Sequence, residues 1–248
     1  MTMALPDQLI VATKRGELKK VSKWLRNGSL DAQRPSDGNT LLHTAVIHSQ
    51  PDLVRDLVRR GATIDLANTG GSTPLMAACQ IGGVLAVQLL LEGVADVNRQ
   101  TKHGATALMS AARHNHPDEL SLLLGASASV DMQTTGGETA LMAAAAAGAD
   151  MCVQILLDAG ASTELRNSTG ATALRCAEMK GAASTQLLLQ RFSKPSHVPS
   201  ELDCDTVRIK MGDGACITVP EDSLVRRGGR CRSSITDRRA LLSRALRG

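Results

Sequence analysis

Aromatic side chains are almost absent from this chain of 248 residues, which contains one Trp, one Phe and no Tyr. Hydrophobic residues still make up 43% of the chain. The core therefore has to be built from Ala, Leu, Val and Met, whose smaller side chains let helices approach one another closely. This composition favours tightly stacked helices over a core built around large rings.

Long hydrophobic runs and paired cysteines are also missing. Without a run of about 18 apolar residues, we expect no membrane-spanning helix. The first 17 residues place their basic side chains after a short apolar stretch, the reverse of the order in a secretory signal. The six cysteines form no CxxC pair, which is usual for reduced thiols inside the cell. We expect a cytoplasmic or nuclear protein.

Residues that could catalyse a reaction or bind a metal do not occur at usable spacings. His103, His114 and His116 fall close together, but no Cys or Asp pair completes a zinc site at ligand spacing. The last three cysteines stand 12 and 15 residues apart, which fits no standard zinc finger. Gly212-Asp213-Gly214 lacks the lysine of a phosphate-binding loop. We expect no metal, no cofactor and no enzymatic activity.

What the chain does contain is a period of 33 residues that runs without insertion through more than half of its length. Glycine recurs at Gly38, Gly71, Gly104, Gly137 and Gly170. Threonine follows at Thr40, Thr73, Thr106, Thr139 and Thr172. Leucine and alanine follow at Leu42, Leu75, Leu108, Leu141 and Leu174, and at Ala45, Ala78, Ala111, Ala144 and Ala177. A fixed period of this length is typical of a solenoid of stacked units.

The sequence of each unit predicts a turn followed by two short helices. In residues 68–100, Thr73 and Pro74 predict the start of a helix. The threonine hydroxyl can cap the helix, and proline is favoured in the first turn. The first helix is predicted over Leu75–Ile81 and ends at Gly82-Gly83. The second is predicted over Val84–Leu91. Its apolar stripe, which a single unit could not bury, recurs as Val21/Trp24/Leu25, Val54/Leu57/Val58, Val87/Leu90/Leu91, Leu120/Leu123/Leu124 and Val153/Leu156/Leu157.

This pattern resembles the ankyrin repeat. The resemblance rests on Gly71-Ser72-Thr73-Pro74-Leu75 with Ala77-Ala78, and on Ala95-Asp96-Val97-Asn98. It implies an all-α solenoid of helix-turn-helix units joined by short β-turn fingers. We predict a domain over 1–191, with units at 2–34, 35–67, 68–100, 101–133, 134–166 and 167–191.

The resemblance implies a groove, formed by the fingers and the first helix of each unit, that binds a protein. We call the recurring Gly, Thr, Leu and Ala positions the lattice. Residues outside the lattice are free to specify the partner. Our candidates on the helices are Ile47, His48, Gln80, Ile81, Arg113 and His114. On the fingers they are Ser72, Lys102, His103 and Glu138. Ile47 and Ile81 stand out because exposed apolar side chains on a polar surface mark contact sites.

Two further expectations come from the resemblance. The histidine that follows leucine in the family, and that ties neighbouring loops by hydrogen bonds, survives only as His43. Its place is taken by Met76, Met109, Met142 and Arg175, so we expect those ties to be missing. Leu90 with Asp96-Val97-Asn98 also resembles the site of an asparaginyl hydroxylase, which makes Asn98 a candidate for modification. The other interpretation is that Asn98 is a structural turn residue.

After Phe192 the period stops. Residues 192–206 have the composition of a linker. Alternating residues over 207–219 surround a Gly-Asp-Gly turn and predict a β-hairpin. Residues 220–248 are arginine-rich, and we expect this tail to be disordered. From Ser223 onward they hold eight Arg and one acid, Asp237. They contain no aromatic residue for base stacking, which argues against nucleic acid as a partner.

These observations leave two functional hypotheses. The first is a monomeric, non-catalytic interaction module that acts as an adaptor, scaffold or inhibitor. The second is a regulatory or targeting subunit whose basic tail docks an acidic partner, an anionic membrane or nucleic acid.

Overall fold

The computed structural model describes residues 5–26, 28–193, 206–210 and 216–220. It contains two separate units, Met1–Ser196 and His197–Gly248. The first holds twelve described helices in six consecutive pairs. The first helices of the pairs are α1 Asp7–Lys14, α3 Leu41–Ile47, α5 Pro74–Ile81, α7 Ala107–Arg113, α9 Ala140–Ala147 and α11 Ala173–Lys180. The second helices are α2 Leu18–Trp24, α4 Pro51–Arg59, α6 Val84–Glu92, α8 Pro117–Gly125, α10 Asp150–Asp158 and α12 Ala183–Ser193.

The helices form two layers. The first helices contact one another in chain order, and so do the second helices, while each pair packs together. We call the first helix of a pair inner and the second outer. The structure confirms the all-α solenoid, and the two helices predicted in residues 68–100 agree with α5 and α6 to within one residue. None of the described helices reaches the length and apolarity of a bilayer span.

The recurring threonine starts the inner helix of each unit from the second to the sixth. Thr73 has extended backbone, and its hydroxyl accepts a hydrogen bond from the Met76 N–H. Such a cap satisfies one of the N–H groups that have no partner inside the helix. The same geometry recurs at Thr40, Thr106, Thr139 and Thr172. All but Thr172 are buried, so these residues build the fold and are unavailable to a partner.

The recurring leucine and alanine, with the stripe on the outer helices, form one continuous core. In the stripe, Val54, Leu57, Val87 and Leu90 are fully buried. The third position of the stripe is half-buried in three of the five units, as at Val58, and buried in the other two. Each unit therefore covers the apolar face of its neighbour, which is how a solenoid gains stability.

The recurring glycine is required where one finger stacks on the next. Gly71 has φ +82°, and a Cβ added there would lie 2.7 Å from the backbone nitrogen of Lys102. At Gly170, in the last finger, the backbone is also left-handed, but a Cβ would meet no atom within 4 Å. Close approach explains the glycine in the inner units, and the backbone conformation alone explains it at the end.

The second unit contains strands β1 Thr206–Lys210 and β2 Cys216–Pro220, which pair antiparallel. Val207 pairs with Val219 and Ile209 with Ile217. These strands coincide with the two alternating segments of the predicted hairpin. Most of the predicted linker over 192–206 and of the arginine-rich tail over 220–248 lies outside the described residues.

Candidate protein-binding surface

The ends of the inner helices form a row of side chains that the lattice does not fix. Ile47, Ile81 and Arg113 are the last residues of α3, α5 and α7, and these helices pack side by side. Ile47 and Ile81 are 39% and 38% exposed, whereas most other Ile, Leu and Val residues of the inner helices are buried. The same row contains the exposed residues His48, Gln80 and His114.

A second row lies on the fingers. Lys102 and His103 are exposed, and their backbones are held by stacking. The Lys102 N–H donates to the Gly70 carbonyl at 3.2 Å, and the His103 carbonyl accepts from the Thr135 N–H at 2.9 Å. Rigid backbones with free side chains are suited to recognition because little order is lost on binding.

The finger residues Ser72 and Glu138 are half-buried and already have partners. The Ser72 N–H donates to Asn68 Oδ1, and its carbonyl accepts a hydrogen bond from His43. Glu138 Oε2 accepts from Arg113 Nη2 at 2.7 Å, and Arg113 is the last residue of α7. This ion pair connects the helix row to the finger row between the fourth and fifth units.

We call the two rows together the inner surface. It consists of the helix residues Lys14, Arg15, Ile47, His48, Gln80, Ile81, Arg113 and His114 and the finger residues Ser72, Lys102, His103 and Glu138.

Two basic side chains lie near His48 in the first units of the inner surface. Burial lowers the pKa of His48, and the positive charges of Lys14 and Arg34 lower it further. The charges of Lys14 and Arg34 therefore disfavour the protonated form of His48 at this end. Arg34 is itself paired with Asp37 at 3.0 Å. Among the described residues, Lys14 and Lys102 form no ion pair.

Comparison with known families decides what kind of repeat this is. A family model for ankyrin repeats matches residues 42–135 and 118–197. The chain belongs to the ankyrin-repeat family. Ankyrin repeats imply protein–protein interaction, and the family is generally non-catalytic.

Several curated proteins share this ankyrin segment. The chain is 35% identical over 91 residues to the palmitoyltransferase Hip14 of Drosophila melanogaster, covering 36% of this chain and 14% of the relative. It is 27% identical over 90 residues to mouse protein phosphatase 1 regulatory subunit 12A, covering 36% and 9%. It is 42% identical over 64 residues to human NF-kappa-B inhibitor epsilon, covering 26% and 13%. The chain thus spans only a small part of each of these proteins.

Asn98 has a structural role in the ankyrin stack. Its Oδ1 accepts a hydrogen bond from the Ser129 N–H at 2.8 Å. Asp31, Asp65 and Asp131 accept from the backbone of the following unit in the same way. This contact accounts for a polar residue at Asn98, and hydroxylation there stays a prediction.

A row of glutamines, which the sequence analysis did not single out, also ties the ankyrin fingers together. Gln100 Nε2 donates to the Gly104 carbonyl of its own finger and to the Gln133 carbonyl of the next. Gln33 and Gln133 make the same pair of bonds, and Ala67 interrupts the row. The spacing of Gln100 and Gln133 by one period is a signal that could have revealed it.

Two buried thiols belong to the core, Cys79 on the inner helix α5 and Cys152 on the outer helix α10. Burial raises the pKa of the Cys152 thiol to about 11, with a smaller contribution from the negative charge of Glu119. The same causes raise the pKa of the Cys79 thiol. Both cysteines are inaccessible and serve as small core residues, as the sequence suggests. Among the described residues, no group of three His, Cys, Asp or Glu side chains is arranged to hold a metal ion.

Proposed function

We propose that the chain is a non-catalytic adaptor, scaffold or inhibitor that binds a protein partner on the inner surface. The proposal rests on one observation above all: two isoleucines, Ile47 and Ile81, are exposed at the ends of adjacent inner helices. Leu85 and Met151 on the outer helices are more exposed, but Ile47 and Ile81 belong to adjacent helices of the layer that carries the variable finger and helix-end residues, and a contact there explains their exposure.

The contrast between buried recurring residues and exposed variable residues supports this proposal. The recurring Thr, Leu and Ala are largely buried, and the recurring Gly lies where fingers stack. Variation is concentrated at the helix ends and fingers, where side chains are exposed. Among the relatives are a protein described as a regulatory subunit of protein phosphatase 1 and one described as an inhibitor of NF-kappa-B, roles that depend on protein contacts.

The test is capture of partners by the full chain and by a variant carrying Ile47→Ser, Ile81→Ser and Arg113→Ala, from cells that express the protein. The matched control carries Leu85→Ser, Met151→Ser and Arg59→Ala, which are exposed residues of the outer helices. We expect the inner-surface variant to lose at least about 90% of a specific partner, because central contacts carry most of the binding energy. Undiminished capture by that variant, or an equal loss in the control, would refute the assignment.

The arginine-rich tail supports a second candidate function. Residues 223–248 carry eight Arg and one acid, whereas residues 1–191 carry 17 basic and 17 acidic residues. In this case the chain is a targeting subunit whose tail docks an acidic partner, an anionic membrane or nucleic acid. Deletion of residues 194–248 separates the two functions, since the adaptor hypothesis predicts unchanged partner capture and unchanged localisation.

A further inference from the structure

Apolar and basic residues occupy different positions along the inner surface. Its centre, in the second and third units, presents Ile47 and Ile81. Basic groups lie on both sides of this centre. Lys14 and Arg15 end α1 on one side, and Lys102 and Arg113 belong to the fourth unit on the other. The two isoleucines of the second and third units are therefore flanked by basic groups of the first and fourth units.

Acids already pair with two of these four basic groups, Arg15 and Arg113, so the unpaired positive charge is that of Lys14 and Lys102. Asp37 is paired with Arg34, and Glu138 with Arg113. Glu17 lies 2.5 Å from Lys20 and 4.0 Å from Arg15. In the part of the chain that the structure describes, Lys14 and Lys102 have no acidic partner within ion-pair distance. Both lysines are exposed and are free to pair with an acidic ligand.

The charge of the repeats is distributed unevenly along the array. Residues 5–60 contain ten Lys and Arg against six Asp and Glu, and residues 61–193 contain seven against eleven. Five of the ten basic residues belong to the outer helices α2 and α4, so the excess is a charge of the first two units as a whole. A net positive charge attracts negatively charged segments and raises their rate of association.

From this arrangement we propose that the inner surface binds an acidic protein segment with an apolar centre, with the apolar residues on Ile47 and Ile81 and the acids on the flanking basic groups. This inference rests on the proposed function of the same surface. Packed helices lie about 10 Å apart, so the three steps from the first to the fourth unit cover about 30 Å. An extended chain advances about 3.3 Å per residue, so the segment has about nine residues.

Nucleic acid fits this surface less well. Single-stranded nucleic acid is held by aromatic side chains on which bases stack, along a continuous basic track. At the middle of the inner surface stand two isoleucines and Gln80, which offer neither aromatic rings nor positive charge.

The experiment is selection of a displayed library of random peptides, about twelve residues long, against the full chain at about 0.15 M ionic strength. Selected peptides are then titrated against variants by fluorescence anisotropy. The apolar pair I47S/I81S is matched by L85S/M151S on the outer helices. The charge pair K14E/K102E is matched by K23E/R59E, which are exposed cations of α2 and α4 without ion pairs in the described part of the chain. Thermal melts establish that each variant folds.

We expect selected peptides to be acidic with an apolar centre. Their dissociation constants should rise about tenfold or more in I47S/I81S and in K14E/K102E, and stay within about twofold in the controls. Peptides that need the inner surface but are neutral or basic would overturn the acidic class and leave the proposed function standing. Peptides whose dissociation constants change in neither I47S/I81S nor K14E/K102E, including acidic peptides held by the arginine-rich tail, would overturn both this inference and the proposed function. Failure to enrich any peptide, or tighter binding of single-stranded DNA through the same residues, would also overturn the inference.

Discussion

Val94 is a residue whose backbone conformation conflicts with its side chain. It has φ +66°, in the left-handed region that a β-branched side chain disfavours, and it is 86% exposed. The equivalent positions one period away are Gly61 and Ser127, followed by Gly160. Val94 thus combines backbone strain with an exposed apolar side chain.

Replacing this valine with glycine should stabilise the protein. A left-handed backbone costs a non-glycine residue about 1–2 kcal/mol, and glycine adds back part of that in chain entropy. We expect Val94→Gly to raise the free energy of unfolding by about 1 kcal/mol, or the melting temperature by roughly 2–4 °C in a domain of this size. Thermal unfolding followed by circular dichroism measures the change.

Gly61→Val is the matched control for Val94→Gly. Gly61 has φ +83°, and a Cβ there would meet no atom within 4 Å, so only the backbone is affected. We expect it to lower the melting temperature by a similar amount. A lower melting temperature in Val94→Gly would mean that the valine side chain contributes to packing and that the strain argument is wrong.

At the scale of the element, His43 connects α3 to the finger of the following unit. Its Nδ1 accepts from the Thr40 N–H at 3.3 Å, and its Nε2 lies 3.0 Å from the Ser72 carbonyl, to which it donates. These contacts require the neutral ring. In the doubly protonated ring, Nδ1 carries a hydrogen and can no longer accept the hydrogen bond from the Thr40 N–H. The bond to Ser72 is the inter-unit tie predicted for the family's histidine.

Burial of His43 makes the stability of the repeats depend on pH. Burial lowers its pKa below the ordinary value of 6.5, and this outweighs the opposing effects of the Ser72 carbonyl and Asp37. The folded state therefore binds fewer protons than the unfolded state. Its contribution to stability is complete above about pH 6.5 and is lost as the pH falls through the folded pKa.

His43→Met should flatten this dependence, because methionine does not titrate. The core accepts methionine at this position, since Met76, Met109 and Met142 are buried at the equivalent positions of other units. Urea titrations between about pH 7.5 and pH 5 measure the free energy of unfolding, with His48→Gln as the control for the other histidine of lowered pKa. An unchanged pH slope in His43→Met, or the same flattening in His48→Gln, would exclude His43 as the cause.

The elements could be predicted from the sequence because their signals repeat. Thr73 starts a helix and Gly82 ends it. The start is the clearer signal, because threonine recurs there in five units, whereas the end position is Gly in some units and Ser49 or Asn115 in others. The glutamine row was harder to predict because its side chains bond to backbone carbonyl groups. Every residue has such a carbonyl, so the identity of the acceptor residue gives no indication of the bond. Arg113 and Glu138 are 25 residues apart and meet only after the units have stacked.

At the scale of the whole molecule, the 33-residue lattice specifies an ankyrin stack and leaves the inner surface to vary. The exposure of Ile47 and Ile81 was predicted from the period, since it locates the end of each inner helix. The partner could not be predicted, since the fold of a domain does not determine which molecule it binds. The central claim is therefore that partners contact the inner surface rather than the outer helices.

Site-specific photo-crosslinking tests this claim most directly. A photoreactive amino acid replaces Gln80 in one variant and Gln88 in another; both are exposed glutamines of the third unit, on α5 and α6 respectively. In cells that express the protein, the account predicts a discrete crosslinked partner from position 80, abolished by adding Ile47→Ser and Ile81→Ser, and none from position 88. A partner crosslinked from position 88 and absent from position 80 would contradict it.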